Sequence, residues 1–576
     1  MENKRRRGFI GLLALTITVL CAISLVIASG EIPTGTAKKS PYNILLILTD
    51  QERYFKEWPK SIGLVAHDRL KDEGIMFRNH YIAATVCTPS RAVLYTGQHV
   101  PNNKMFTNTN LPWQPDLSPD IPTIGDMLRQ ARYYTAYKGK VHLSKALENH
   151  EGEEGEFKTD AMEPYGFSDY NVQGDTYGHQ LGGFHNDHVF LADAVRWLRT
   201  KGLEFEEKKQ PWFLAVNLVN PHDIMYFNAD PPGESFQNDG GHLMPIKRAP
   251  DTPVYRRQHN VPLPESVNEP IQAKGRVKAH YEWWKIKNVV TGPVAQKNWK
   301  RYQDYYFNCL KDADLQVERL LDELDDLGLT KQTIIIYTAD HGEMGGAHGI
   351  REKGSFAYEE AIHVPFIIVH PDYRGGSKCS AITSHLDVAP TLVGLTGIPQ
   401  SAREAITKGL PGKDFSGLLK QPEKAELGAV REGAIFTFSM PIFADSGFFE
   451  QIADYLRKGG DPKKLKESGI RPDLSKRCFV RTVFDGRYKY SRYFSPKEHN
   501  LPITLQEILR YNDIELFDLK EDPNELRNFG AEPEKHRELI LRMNAMLNDL
   551  IRREIGEDNG QYLPGEGPWA VRYMYY

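Results

Sequence analysis

Apolar residues fall in two patterns along this chain. Asn43 to Thr49 is a continuous run ending at Asp50, the pattern of a strand buried on both faces of a parallel sheet. Trp212 to Val219, Thr333 to Ala339 and Val364 to Val369 repeat it. Between such runs the period changes. Within Gln303 to Leu327, the residues Leu310, Ala313, Val317, Leu320, Leu324 and Leu327 recur at three- and four-residue steps, which gives a helix one apolar face. Strands alternating with amphipathic helices predict an α/β fold, a mostly parallel mixed sheet sandwiched by helices. In such sheets ligands bind beyond the carboxyl ends of the strands, which singles out Asp50, His222 and Asp340, each at or just beyond the end of an apolar run.

From about Gln421 the apolar runs shorten. Phe479 to Tyr490 reads as a hairpin turning at Asp485-Gly486, and a helix follows from about Glu534 to Arg553. The expected layout is a large domain over 40–420 and a smaller C-terminal α+β domain with an antiparallel sheet over 421–556. Residues 226–288 break the large domain with proline, glycine and charge, and end near Tyr281, Trp283 and Trp284; this stretch is either a lid or pocket wall or a surface excursion. Residues 557–576 form an aromatic tail that could line a pocket or pack between subunits.

At the other end, Lys4-Arg5-Arg6-Arg7 precedes an uncharged stretch from Gly8 to Gly30. It reads as an export signal, with Ala28-Ser29-Gly30 for cleavage, or as an uncleaved membrane anchor. Either reading places the body of the protein outside the cytoplasm, periplasmic or extracellular, soluble or tethered. Arg6-Arg7-Gly8-Phe9-Ile10 also has the look of a twin-arginine signal.

Composition narrows the partners. Of 576 residues, 40% are hydrophobic and 26% charged, with a net charge of −4, so the chain has no basic field for nucleic acid. Five cysteines, Cys21, Cys87, Cys309, Cys379 and Cys478, are too few and too scattered for a disulfide framework or a zinc cluster, although one disulfide among the last three stays open.

The chemistry centres on Cys87-Thr88-Pro89-Ser90-Arg91, followed by Thr96-Gly97. Pro89 suits the first turn of a helix, so Cys87 sits at a helix N-terminus, which favours negative charge. Asp50-Gln51 and Asp340-His341-Gly342 offer oxygen ligands for a hard divalent cation at strand ends. In Lys138-Gly139-Lys140-Val141-His142-Leu143, Lys140 and His142 would share one face of an extended segment. Asn220-Pro221-His222-Asp223 follows a strand, and Lys353 lies in a glycine-rich loop after His341.

The C-x-P-S-R pattern resembles the signature of the type I sulfatases of the alkaline phosphatase superfamily, in which the cysteine is oxidised to formylglycine after synthesis. Further echoes are Ser384-His385-Leu386-Asp387, Leu410-Pro411-Gly412 and Glu515-Leu516-Phe517-Asp518. The resemblance implies an alkaline-phosphatase-like fold and a sulfuric ester hydrolase. It implies Asp50, Gln51, Asp340, His341 and modified Cys87 as metal ligands. Lys140, His222 and Lys353 would bind substrate, and His142 and Arg91 would complete the catalytic set. Gln51 stands where many members have a second aspartate and His341 where many have asparagine, as in the choline-sulfatase-like and phosphonate monoester hydrolase branches. Ca²⁺ is the cation the resemblance favours, with Mg²⁺ or Mn²⁺ as alternatives. Implied partners are a sulfated small molecule or carbohydrate, a formylglycine-generating enzyme and, by analogy with choline sulfatases, a second copy of the chain. Two other functions are weighed against this one: a phosphonate monoester hydrolase or phosphodiesterase of the same superfamily, and a catalytically inactive binding protein that kept the fold.

Overall fold

The first apolar run becomes strand β1 (Asn43–Asp50), buried along its whole length. Its alternate residues feed two cores: Ile44, Leu46 and Leu48 pack to one side and Leu45 and Ile47 to the other. A side chain of this kind contributes about 1.5–3 kcal/mol by leaving water, and truncating Leu46 to alanine would cost about 2–5 kcal/mol through the cavity left behind. The computed structural model describes residues 41–111, 114–149, 159–172, 175–176, 179–239 and 241–560. The leader at 1–30 and the aromatic tail from 561 onward lie outside them.

The strands that follow are β2 (Ile75–Tyr81), β3 (Tyr134–Gly139), β4 (Trp212–Pro221), β5 (Thr333–Ala339), β6 (Phe366–Val369) and β7 (Ser377–Ser384). Among the described residues they form a seven-stranded sheet in the order β3-β4-β1-β5-β6-β2-β7. The block β3-β4-β1-β5 is parallel. β6 runs antiparallel to both β5 and β2. Its apolar run is as continuous as the others, because hydrophobicity reports burial and carries no direction.

Helices cover both faces. One side carries α1 (Val65–Glu73), and the other carries α2 (Cys87–Thr96). α3 (Gly182–Trp197) lies on the α1 side. α4 (Lys278–Thr291) packs further out, against Phe356, Phe436 and Phe438 through Ala279 and Trp283. α5 (Trp299–Asp326) sets Ala313, Val317, Leu320 and Leu324 against the sheet beside α1 and α3, as its periodicity predicts, and starts four residues before the expected stretch. α6 (Val388–Leu395) joins α2 on the opposite face.

The C-terminal strands β8 (Ala434–Phe438), β9 (Phe479–Phe484), β10 (Tyr488–Phe494) and β11 (Asn512–Asp518) form an antiparallel sheet in sequence order. The β9–β10 hairpin turns at Asp485-Gly486-Arg487, as its sequence predicts. Before β9 comes α7 (Ser446–Arg457), and after β11 comes α8 (Arg537–Glu554), which covers one face of this sheet through Ile540, Met543, Leu547 and Ile551. The other face meets the main body: the Thr437 N–H donates to the carbonyl of Ala83 at 2.9 Å, tying β8 to the chain just before Cys87. Everything described from Tyr42 onward forms one compact unit. Among the described residues no helix is long and apolar enough to cross a membrane. Cys87, Cys309, Cys379 and Cys478 are all buried and free, so the disulfide left open by the sequence is not formed.

Candidate active site

Parallel strands bring their carboxyl ends to one edge, and the sequence loads that edge with charge. β1 ends at Asp50, β5 is followed by Asp340 and His341, β4 by His222, and β3 by Lys140. α2 points its N-terminus, with Cys87 as its first residue, at the same place. Ligand atoms of Asp50, Cys87, Asp340 and His341 all lie within 4.8 Å of one another, and all four residues are buried. Cys87 Sγ is 3.2 Å from His341 Nε2 and 3.8 Å from Asp50 Oδ1. His341 Nε2 is 3.6 Å from a carboxylate oxygen of each aspartate.

Arg91 braces this group from below. Its Nε donates to Asp340 Oδ2 at 2.9 Å and its Nη2 to Asp50 Oδ2 at 3.1 Å, while Nη1 donates to the Lys140 carbonyl at 2.9 Å. Lys140 Nζ lies 2.7 Å from Asp50 Oδ2. Ser90 Oγ donates to the Asp340 carbonyl and also meets His385, whose Nε2 reaches the Ala339 carbonyl. The Ser384-His385 echo therefore supports the floor of the site.

Lys140 and His142 do not lie on an extended segment. β3 stops at Gly139, where a Cβ would stand 1.9 Å from the Asn217 carbonyl oxygen, and His142 has a left-handed φ of +56°. Gln51 and Glu352 are left-handed too, at +74° and +66°. Non-glycine residues in this region cost about 1–3 kcal/mol each; His142 and Glu352 line one cleft, and Gln51 bonds to Lys353, which also lines it.

Gln51 is held by three hydrogen bonds, one of them to a member of the four clustered ligands. Its backbone N–H donates to Asp340 Oδ1 at 3.1 Å, its Oε1 accepts from Lys353 Nζ at 2.5 Å, and its Nε2 donates to Glu343 at 2.5 Å. His222 is fixed from both sides. Asp187 accepts the N–H groups of Val219 and Asn220, and Asp223 accepts those of Gly183 and Phe184 at the start of α3. Cys87, His142, His222 and Lys353 open onto a cleft of about 230 Å³. Its outer wall comes from Met225, Tyr226 and Leu243, from Trp283 and Lys287 of α4, and from Met440 to Phe449. The 226–288 stretch thus contributes cleft-lining residues, whereas Trp284 lies at a separate small cavity.

Electrostatics sort these groups. Burial alone would raise Asp50, but the permanent charges of Lys140 and Arg91 hold the carboxyl well below its ordinary value. Burial and the nearby Asp50 push Asp340 up to about 7. Burial and Lys140 lower His142 and His222 well below the usual imidazole range; burial and Lys353 do the same to His341, so all three are neutral at pH 7. Burial and Asp50 raise the Cys87 thiol to about 11, so as a plain cysteine it carries no thiolate. Two crowded carboxylates with a neutral imidazole suit a hard divalent cation, which would relieve the repulsion that raises Asp340.

All ten residues singled out in the sequence meet at this edge. Sequence reasoning did not find Glu343, Asn217, Lys287, Glu352 or the segment from Met440 to Phe449. Asn217 accepts from Arg91 and Tyr95 in the middle of the run from Trp212 to Val219, a polar interruption that was legible. The Met440 segment carries no local signal, since only the fold brings it near Lys353.

A sequence model described as Sulfatase matches residues 42–398. The choline-sulfatase of Rhizobium meliloti is 28% identical over 378 residues, covering 62% of this chain and 68% of that protein. The Delta 4,5-hexuronate-2-O-sulfatase of Bacteroides thetaiotaomicron is 23% identical over 489 residues, covering 84% and 83%. Among solved structures, the phosphonate monoester hydrolase of Silicibacter pomeroyi has the same fold, with a TM-score of 0.59 at 19% identity over 90% of this chain and 96% of that one. With well over half its length matched and the cysteine segment, lysines, histidines and strand-end carboxylates gathered at one edge, the chain belongs to the sulfatase family of sulfuric ester hydrolases.

Proposed function

We propose that this enzyme hydrolyses a sulfate monoester to an alcohol and inorganic sulfate, using a formylglycine made from Cys87 and a divalent cation held by Asp50, Asp340, His341 and residue 87, with Gln51 available from the same loop. The observation that carries the reading is the convergence of those four ligand atoms on the first residue of α2, beside Lys140. In that reading Cys87 Sγ occupies the place of the formylglycine oxygens. A hydrated aldehyde there would supply one hydroxyl to attack sulfur and a second that, once deprotonated, expels the sulfate. A divalent cation would supply positive charge against the sulfuryl oxygens, Ca²⁺ by family resemblance and Mg²⁺ or Mn²⁺ by ligand chemistry.

The protein's own groups then divide the work. His142, neutral and at the cleft floor, is suited to accept the proton released as sulfate departs. Lys140 and Lys353 carry charge to the sulfuryl group. His222, also neutral, offers a hydrogen bond to the departing oxygen, and the Lys353 ammonium supplies the proton or the charge beside it. Arg91 is a positioning residue, since both its carboxylate contacts are to the proposed metal ligands. Conversion of Cys87 requires a formylglycine-generating enzyme in the host, and the basic-then-apolar leader implies export.

Comparison of an aryl sulfate with an aryl phosphonate tests the reaction. Preferential sulfate release is expected, and a clear preference for the phosphonate would move the protein to the phosphonate monoester hydrolase reading.

A further inference from the structure

Above its charged floor the cleft changes character. Leu243, Val290, Met440, Ile442, Phe443 and Phe449 line its outer part. Two of them are held by backbone and packing: the Leu243 N–H donates to the Val289 carbonyl at 3.0 Å, and Phe449 stacks against Phe443 with centroids 5.7 Å apart. Lys287, the cation among the described residues of this wall, is already engaged. Lys287 Nζ lies 2.5 Å from Glu352 Oε2, 4.6 Å from the Trp283 ring centroid and 5.5 Å from that of Phe443. Lys287 is 4% exposed and Glu352 fully buried, so each neutralises the other out of water.

We infer that the ester cleaved here has an uncharged, apolar leaving group, a substituted ring or branched alkyl chain; the inference rests on the sulfatase reading above. An anionic sugar would find no unengaged cation among the described wall residues, because Lys140 and Lys353 face the sulfuryl group. A cationic alcohol would meet the Lys287 ammonium and a carboxylate already bound to it. The remaining polar wall residues, Asn108, Asn110 and Tyr226, are too few to match the hydroxyls of a saccharide. The space is enough for one ring: an apolar cavity of roughly 150 Å³ holds benzene, and this cleft offers about 230 Å³.

The test uses the full-length enzyme, matured and metal-loaded, with esters that differ in one property. 3,3-Dimethylbutyl sulfate and choline sulfate have the same shape and differ in charge; the neutral ester is expected to have a kcat/KM at least about tenfold higher, because the ammonium would be desolvated without a partner. Along a series of primary n-alkyl sulfates, kcat/KM is expected to rise about fourfold per methylene until the cleft is filled. Glu352→Gln releases Lys287, so the ratio of turnover for 4-sulfooxybenzoate over phenyl sulfate is expected to rise about tenfold. Choline sulfate or N-acetylglucosamine 6-sulfate cleaved as well as the apolar esters, or an unchanged ratio in Glu352→Gln, would overturn the inference. In either case release of sulfate from 4-nitrophenyl sulfate would leave the sulfatase reading standing; failure with every sulfate ester would overturn both.

Discussion

Asp50 and Glu52 lie two residues apart, and each heads a buried cluster of charges, yet the clusters are built on opposite principles. Glu52 is saturated. Its oxygens accept from Thr49 Oγ1 at 2.9 Å, Tyr337 at 2.5 Å and His67 Nε2 at 3.0 Å. The other nitrogen of His67 meets Asp314 at 2.7 Å, and Lys311 Nζ donates to Asp314 at 2.9 Å. Every charge there is answered by a charged or hydroxyl group on β1, α1, β5 or α5, and the cluster is sealed. Around Asp50, two carboxylates crowd one another, a thiol and three neutral imidazoles stand among lysines, and four of the groups face a cleft. Burying charge is common to both. What distinguishes a site is charge whose partners are incomplete within the protein.

The comparison can be broken by substitution. His67→Ala leaves Glu52 and Asp314 buried without their shared cation and is expected to destabilise the protein by about 3–5 kcal/mol, measured by urea unfolding, with kcat of the folded fraction changed by less than about twofold. Lys140→Ala or His222→Ala should do the reverse: a loss of about a hundredfold or more in kcat/KM for an aryl sulfate, with the unfolding midpoint nearly kept. A His67 variant that is inactive while folded, or a Lys140 variant that is merely unstable, would erase the distinction.

Chelation sharpens it further. Removing the divalent ion is expected to abolish sulfate release and lower stability by an amount set by the free ion, about 2.7 kcal/mol at a hundred times its Kd, with Ca²⁺, Mg²⁺ and Mn²⁺ ranked by recovery. The sealed cluster is untouched by chelation but answers to pH. Burial alone would lower His67, but Glu52 and Asp314 outweigh it and raise the imidazole to about 10. Its folded-state value exceeds the ordinary 6.5, so its contribution is complete below pH 6.5 and is lost as pH rises toward 10, at most about 1.4 kcal/mol per pH unit. Urea midpoints of the parent chain should therefore drift down across that window, and His67→Gln should flatten the drift.

Much of this architecture was legible from residue order. Continuous apolar runs located β1, β4 and β5, a single apolar face located α5, and Asp-Gly located the hairpin. Since parallel strands share an edge, knowing that Asp50, Lys140, His222 and Asp340 lie at or beyond strand ends was enough to collect them. Direction and conformation were not legible: β6 runs against its neighbours, and His142 leaves the strand at a glycine pressed on Asn217. Gln51 is a further instance, its amide held between Lys353 and Glu343 by contacts some three hundred residues away in sequence. The apolar wall and the His67 cluster depend on packing between distant elements, which no local pattern encodes.

The central claim concerns position 87 and is tested most directly by a mass spectrum of its peptide from material whose turnover of an aryl sulfate has been measured. The account expects the mass of formylglycine, in a fraction that tracks activity from one preparation to the next. An intact cysteine in fully active enzyme, or undiminished turnover by Cys87→Ala, would contradict it.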